Sequence, residues 1–410
     1  MNLFEELKWR GLIHNITDEK IIDKINNEQL TFYLGTDPTG DSLHVGHLLV
    51  FIFAKRLEKY GHHPIFLIGG ATGSIGDPKP TAERKLLSKE QLEHNANSLY
   101  HQVEGLFKCK MVNNYDWTYN IDILTFLRKY GKFFNVNYMI NKETVKSRLD
   151  SGISYTEFSY QILQALDFEH LFANEGCSLQ IGGQDQWGNI TSGLELIRKI
   201  HGVDAEAFGI TVPLFTKSDG TKFGKTEGGA IWLDSKKTTP YAFYQFWINT
   251  PDNDVIKELK QFTFLTKEDI EVIEESFQKE PHLRVAQKAL AKEMTTMIHG
   301  QESYEQAVKL SEALFSGQVA NLTKEEIEVV FEGLPKVKVE IDTPLIDVLL
   351  MLGAASSKRE ARDFISGGGV LVNSKQEKDL SFVIKKENAI DYKYTVIRRG
   401  KKNYYLIEHE

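Results

Sequence analysis

The chain has 410 residues, too many for one ordinary hydrophobic core, which points to two or three domains. Hydrophobic content of 41% with 26% charged residues is that of a globular protein in water, and no run of about 18 apolar residues offers a membrane span. The formal net charge of −8 excludes a nucleic-acid partner held by overall charge, so any such partner needs a local basic surface.

Glu5, Glu6, Lys8 and Arg10 crowd the first turns, unlike a signal peptide. Cys109 and Cys177 are far apart and form no metal-ligand pattern. Both features suit two inert thiols in a reducing cytoplasm. Residues 1–29 read as helices, with Asn15-Ile16-Thr17-Asp18 as a cap. Leu30–Leu34 is an apolar, β-leaning run. Asp37-Pro38-Thr39-Gly40 is a turn by composition. The apolar run 48–57 suits a mostly buried helix, with Ser42 as its cap.

At the start of that helix stand His44 and His47, three apart and on one face, with Gly46 between them. A helix start offers free N–H groups to an anion. Two imidazoles beside it make a phosphate site without a Walker lysine. This strand–turn–helix resembles the His-Ile-Gly-His signature of class I aminoacyl-tRNA synthetases.

Further along, Pro64–Ile68 reads as a strand entering a glycine-rich turn, Gly69 to Gly76, that is neither a P-loop nor a Rossmann fingerprint. Asp77 follows it, at the kind of strand end that faces a ligand crevice. Residues 81–108 read as helical and charged. Val112–Trp117 reads as a strand leaving into a loop. Residues 119–150 read as helical, with Ile121, Leu124, Phe126 and Leu127 facing a core. Tyr160, Gln164 and Asp167, at i, i+4 and i+7, form a polar stripe among apolar and aromatic neighbours. A carboxylate buried there needs a partner, which a ligand could supply.

Ser178–Gly183 is another strand ending in glycines, and the polar group Gln184-Asp185-Gln186 then opens a helix. A short strand at 211–215 precedes Lys222-Phe223-Gly224-Lys225-Thr226 in a polar loop. Alternating strands and helices to this point indicate a parallel sheet. From about residue 238 the pattern is helical. Residues 345–410 carry twelve basic and nine acidic side chains, including the basic helix Lys358-Arg359-x-x-Arg362.

By Lys225 the chain resembles the bacterial tyrosyl-tRNA synthetases over essentially its full length. The matching pieces are Tyr33-Leu34-Gly35, Asp37-Pro38-Thr39, His44-Val45-Gly46-His47, Gly76-Asp77-Pro78, Tyr160 with Gln164 and Asp167, Gly183–Asn189 and Lys222–Thr226. Phe223-Gly224 stands where other class I enzymes carry Met-Ser. Residues 345–410 resemble an S4 RNA-binding domain.

The resemblance implies an α/β class I Rossmann-type catalytic domain over 1–220 that includes a dimerisation insertion. A signature loop at 221–237, an α-helical anticodon-binding domain at 238–331, a linker at 332–344 and a small α+β S4 domain at 345–410 follow. It implies activation of L-tyrosine with ATP and transfer to tRNA(Tyr) by a homodimer. Mg²⁺ would accompany ATP, with no tightly bound cofactor and no resident metal.

By the same resemblance Thr39, His44, His47, Arg84, Lys222 and Lys225 are catalytic. Tyr33, Asp77, Tyr160, Gln164, Asp167, Gln180 and Gln186 bind tyrosine. Gly35, Asp37, Thr39, His44, Gly46, His47, Gly183, Asp185, Gln186 and Lys225 bind ATP. Thr36 departs from the family's usual aromatic residue and Gln184 from its usual serine. Between Asp77 and Arg84 the chain is one residue short, which favours Arg84 over Lys79 or Lys85 as the phosphate contact.

Overall fold

The computed structural model describes residues 1–78, 85–216, 229–332, 334, 336–339, 342–400 and 403–410, with the side chains of 143 and 144 left aside. The chain forms two compact units. The first comprises 1–238 with 250–290, and the second 239–249 with 291–410.

The first unit is built on a six-stranded sheet. In chain order its elements are helix α1 (Leu3–Trp9), strand β1 (Asn15–Ile16), α2 (Lys20–Asn27), β2 (Thr31–Thr36), α3 (Val45–Lys59), β3 (His63–Ile68), α4 (Lys89–Phe107), β4 (Lys110–Asn113), α5 (Tyr155–Glu175), β5 (Cys177–Gly183), α6 (Trp187–His201) and β6 (Phe208–Val212). The strand order is β1-β6-β5-β2-β3-β4, parallel throughout except for β1. Asn15 and Ile16 are therefore an edge strand; Asp18 accepts the Lys20 N–H at 2.9 Å, but the N-cap of α2 is Glu19, which makes no side-chain cap bond.

From β2 the chain winds outward through β3 and β4, then returns to β5 on the other side. Phe32, Tyr33 and Leu34 of β2 are buried, the near-continuous apolar run of a strand covered on both faces. The order reverses between β2 and β5, and the crevice at their carboxyl ends is where open α/β sheets bind ligands.

Helix α3 is buried nearly all round, including Leu48, Phe51, Ile52 and Phe53. Its last turns are clamped by Arg56, which donates to the Thr263 carbonyl at 2.7 Å and to Glu6 at 2.8 Å. Arg10 caps the same carbonyl and that of Leu265.

Between β4 and α5 the chain is less regular than the apolar spacing predicts. Short α, π and 3-10 turns replace one long helix. Ile121 and Phe126 pack inward, but Leu124 and Leu127 face solvent at 74% and 46% exposure. Broken turns cannot hold one apolar stripe in register, so the i, i+3 spacing scatters.

The second unit centres on the sheet β10-β9-β12-β13-β7, formed by β7 (Lys336–Val339), β9 (Val370–Val372), β10 (Lys375–Glu377), β12 (Tyr394–Arg399) and β13 (Asn403–His409). A two-stranded sheet pairs β8 (Thr343–Pro344) with β11 (Val383–Ile384). Successive residues of β12 and β13 serve two cores, as a period of two requires. Val396 and Leu406 pack with Leu310, Leu322 and Ile327. Ile397 and Ile407 pack with Leu345, Val348 and Ile365.

Residues 310–331 thus share a core with the C-terminal strands. The stretch read as a linker, 332–344, contributes β7, parallel to β13. Ser357 caps the helix Lys358–Ser366, on which Lys358, Arg359 and Arg362 are exposed. No described helix is long and apolar enough to cross a membrane.

Candidate active site

A cleft of about 340 Å³ opens at the carboxyl ends of β2 and β5. Fifteen of the residues singled out from sequence line it: Tyr33, Gly35, Asp37, Thr39, His44, Gly46, His47, Asp77, Tyr160, Gln164, Asp167, Gln180, Gly183, Asp185 and Gln186. Arg84, Lys222 and Lys225, with the rest of the Lys222–Thr226 signature, lie outside the described residues.

His44, not Ser42, is the N-cap of α3. Its Nδ1 accepts the Gly46 N–H at 3.0 Å, and the His47 Nδ1 accepts the His44 N–H at 3.2 Å. The Ser42 hydroxyl instead donates to the Leu43 carbonyl. The Val45 N–H donates to Ile231, so the helix start has no free N–H to offer at residues 44–46. Nδ1 acceptance leaves the proton of each neutral ring on Nε2. Burial lowers the pKa of His44. Burial, then the neighbouring His44, brings His47 down to about 3. At pH 7 the pair offers two neutral N–H donors. The rings lie 4.0 Å apart, and Trp232 meets the His44 ring edge-on at 5.9 Å.

The glycine-rich turn after β3 is a packing device. A side chain at Gly69 would collide with Asp37 and Thr72, and one at Gly70 with Asn113. That close approach lets the Thr72 hydroxyl reach Asp37 at 2.7 Å, while the Tyr160 hydroxyl donates to the other Asp37 oxygen at 3.0 Å. Asp77 is held by Gln186 at 3.0 Å and Asn189 at 3.3 Å. Burial is the main cause that raises its carboxyl to about 6, with Asp37 and Asp185 adding repulsion.

Asp167 receives Asn114 at 2.9 Å and the Trp117 indole N–H at 3.0 Å. Burial still raises it to about 7 against those two bonds. The Tyr33 ring packs on Phe168 at 5.4 Å. Its hydroxyl, like the side-chain oxygens of Gln164 and Gln180, is buried with no partner among the described residues. Lying together in one cleft, these three open positions are available to a polar ligand or to water.

The family-model match for tRNA synthetases class I (W and Y) spans residues 25–316, and that for the Tyrosine--tRNA ligase SYY-like C-terminal domain spans 326–407. The chain belongs to the class I tRNA synthetases of the W and Y family. It is 53% identical over 419 aligned positions to a Tyrosine--tRNA ligase of Listeria monocytogenes serotype 4b, covering 100% of both chains. It is 52% identical over 417 positions to Tyrosine--tRNA ligase 2 of Bacillus cereus, again covering 100% of each. Among solved structures it resembles a C-terminally truncated mitochondrial tyrosyl-tRNA synthetase of Aspergillus nidulans. The TM-score is 0.69 at 32% identity, covering 77% of this chain and 94% of that one.

Within this class I synthetase, sequence reasoning missed Thr72, Asn114, Trp117 and Asn189. Asn114 and Trp117 follow the end of β4, where a polar residue leaving a strand was the available signal. Asn189 lies three residues after Gln186 on the same helix face, a spacing the sequence displays. No local pattern marks Thr72. Among the described residues no cluster of three or more His, Cys, Asp or Glu is placed to hold a metal ion.

Proposed function

We propose that the chain is a tyrosine--tRNA ligase acting in the cytoplasm on L-tyrosine, ATP and tRNA(Tyr). The observation that carries the choice of amino acid is the buried Tyr33 hydroxyl, without a partner among the described residues, in the cleft that also holds Asp167. A substrate phenol satisfies both. An indole offers a single N–H and no acceptor.

Asp77, with Tyr160 and Gln164, faces the substrate's ammonium, whose charge offsets the cost of burying Asp77. The tyrosine carboxylate then attacks the α-phosphorus, and the bond to pyrophosphate breaks. No covalent enzyme intermediate is needed, so catalysis consists of positioning and charge stabilisation. Thr39 and the Nε2 protons of His44 and His47 donate to phosphate oxygens. Gly35, Asp37, Gly46, Gly183, Asp185 and Gln186 surround the nucleotide, and Gln180 completes the tyrosine side of the cleft. Lys222, Lys225 and Arg84 take their phosphate roles from the family motif. Mg²⁺ enters with ATP as part of the co-substrate. In the second step a ribose hydroxyl at the tRNA 3′ end attacks the activated carbonyl and AMP leaves.

The exposed basic helix 358–366 serves the RNA, with the helical segment 238–331 toward the anticodon. A homodimer is supported by the apolar side chains left in solvent between β4 and α5 and at the start of α5: Tyr119, Ile123, Leu124, Val136 and Tyr155, each more than half exposed. Light scattering on the purified protein tests this. ATP–pyrophosphate exchange across the amino acids tests the activity. Exchange with tyrosine alone is the expected result, and exchange with tryptophan or with none refutes the reading.

A further inference from the structure

The phosphate side of the cleft hangs on one turn, residues 38–43, with Thr39 at one end and His44 just beyond the other. A turn this short cannot fix its own span, and α4 holds both ends. Asn95, buried at 2% exposure, donates from Nδ2 to the Pro38 carbonyl at 2.9 Å, while its Oδ1 accepts from Gln91 at 2.8 Å. Two helical turns later the Gln102 Oε1 accepts the Leu43 N–H at 2.7 Å, and its Nε2 donates to the Ser42 hydroxyl at 3.0 Å. Asn95 and Gln102 are seven residues apart, so they share a face about 10.5 Å long. The Leu43 carbonyl is taken in turn by the Leu233 N–H at 2.9 Å. Both backbone groups of the residue before His44 are thereby fixed. Neither amide lines the cleft.

We infer that Asn95 and Gln102 are positioning residues of the activation step, using α4 as a ruler that sets the separation of Thr39 from the two imidazoles. The inference rests on the activity proposed above. Tyrosine is held by Tyr33, Asp77 and Asp167 on other elements, so its binding is independent of the ruler. The phosphate donors must meet charge that develops only as pyrophosphate leaves, and displacements near 1 Å cost on the order of 10²-fold in rate.

The test is ATP–pyrophosphate exchange with the full chain, alongside equilibrium tyrosine binding and thermal unfolding, for Gln102→Met, Gln102→Glu, Ser42→Ala and the unaltered protein. Gln102→Met keeps the side chain's length and removes both bonds. It is expected to lower kcat about tenfold or more, leaving the tyrosine Kd within about twofold. Gln102→Glu still accepts the Leu43 N–H and can accept the Ser42 hydroxyl, so it is expected to recover most of the rate. Ser42→Ala removes only the hydroxyl between Gln102 and Leu43, and gives a smaller fall in kcat with tyrosine binding unmoved. Rates at the unaltered level in Gln102→Met and Ser42→Ala would overturn the inference, as would a parallel fall of kcat and tyrosine affinity unrelieved in Gln102→Glu. Absence of tyrosine-dependent exchange in the unaltered protein would instead remove the proposed activity.

Discussion

Replacing Tyr33 by phenylalanine separates what the hydroxyl does for the substrate from what it does for the fold. The ring is 2% exposed and packs on Phe168, and phenylalanine preserves that packing. The hydroxyl has no partner among the described residues, and Asp167 is already engaged by Asn114 and Trp117. A buried, unmade hydrogen bond costs about 1–3 kcal/mol, so Tyr33→Phe is expected to leave the free protein as stable or more so, by up to that amount. On the proposed function, the same hydroxyl meets the substrate phenol when tyrosine is bound. A neutral hydrogen bond contributes about 0.5–1.5 kcal/mol net, so kcat/KM for tyrosine is expected to fall about 2- to 13-fold. Phenylalanine makes no such bond, and its activation should not change, so the preference for tyrosine narrows by the same factor. Denaturant melts and exchange kinetics with both amino acids read the two effects. A variant destabilised by more than about 1 kcal/mol with its tyrosine preference intact would show that the hydroxyl serves the fold, refuting the reasoning.

Asp77 predicts a pH dependence. Its folded pKa, about 6 against an ordinary 3.8, is raised, so its burial costs stability progressively as pH climbs from about 4 and in full above about 6. On the proposed function the ammonium of tyrosine needs the ionised form, so the tyrosine KM should be flat from about pH 7 to 8 and rise about tenfold per unit below about pH 6. In Asp77→Asn that limb should vanish and KM should rise about 10²-fold or more; an unaltered protein whose KM does not rise as pH falls below about 6 would contradict the assignment. A methyl at Gly193 would sit 2.9 Å from the Phe168 ring and 3.0 Å from its Cβ, so Gly193→Ala should destabilise by about 1–3 kcal/mol in chemical denaturation. An unchanged melting midpoint would mean that α5 and α6 are less closely packed than these distances. On the exposed helix 358–366, Arg359→Ala with Arg362→Ala should leave tyrosine-dependent exchange intact. The double variant should weaken tRNA binding and flatten its log–log salt dependence by about 1–2. Full-strength RNA binding at physiological salt would assign the RNA to another surface.

Much of the site was legible locally. The strand–turn–helix around Asp37 to His47 depends on residues within about fifteen positions of one another. The stripe Tyr160–Gln164–Asp167 depends only on helical spacing, and α5 buries Tyr160 and Asp167 as that stripe suggested. Even there, local reasoning misjudged the cap. Ser42 is the commoner capping residue, but Gln102, sixty residues away, occupies it, and His44 caps instead.

What the sequence by itself determined is therefore a set of candidate groups and the helices and strands that carry most of them, because 3.6- and 2-residue periods and turn chemistry are short-range. What only the tertiary structure decided is which partners hold those groups. Asn114 and Trp117 reach Asp167 across some fifty residues, Thr72 reaches Asp37 across thirty-five, and Asn95 and Gln102 brace a turn from another helix. The exposure of Leu124 and Leu127 was settled at the same level. Such pairings follow from the order β5-β2-β3-β4 and the packing of α4 and α5 against it. A polar side chain carries no mark of its distant partner until burial makes leaving it unpaired costly.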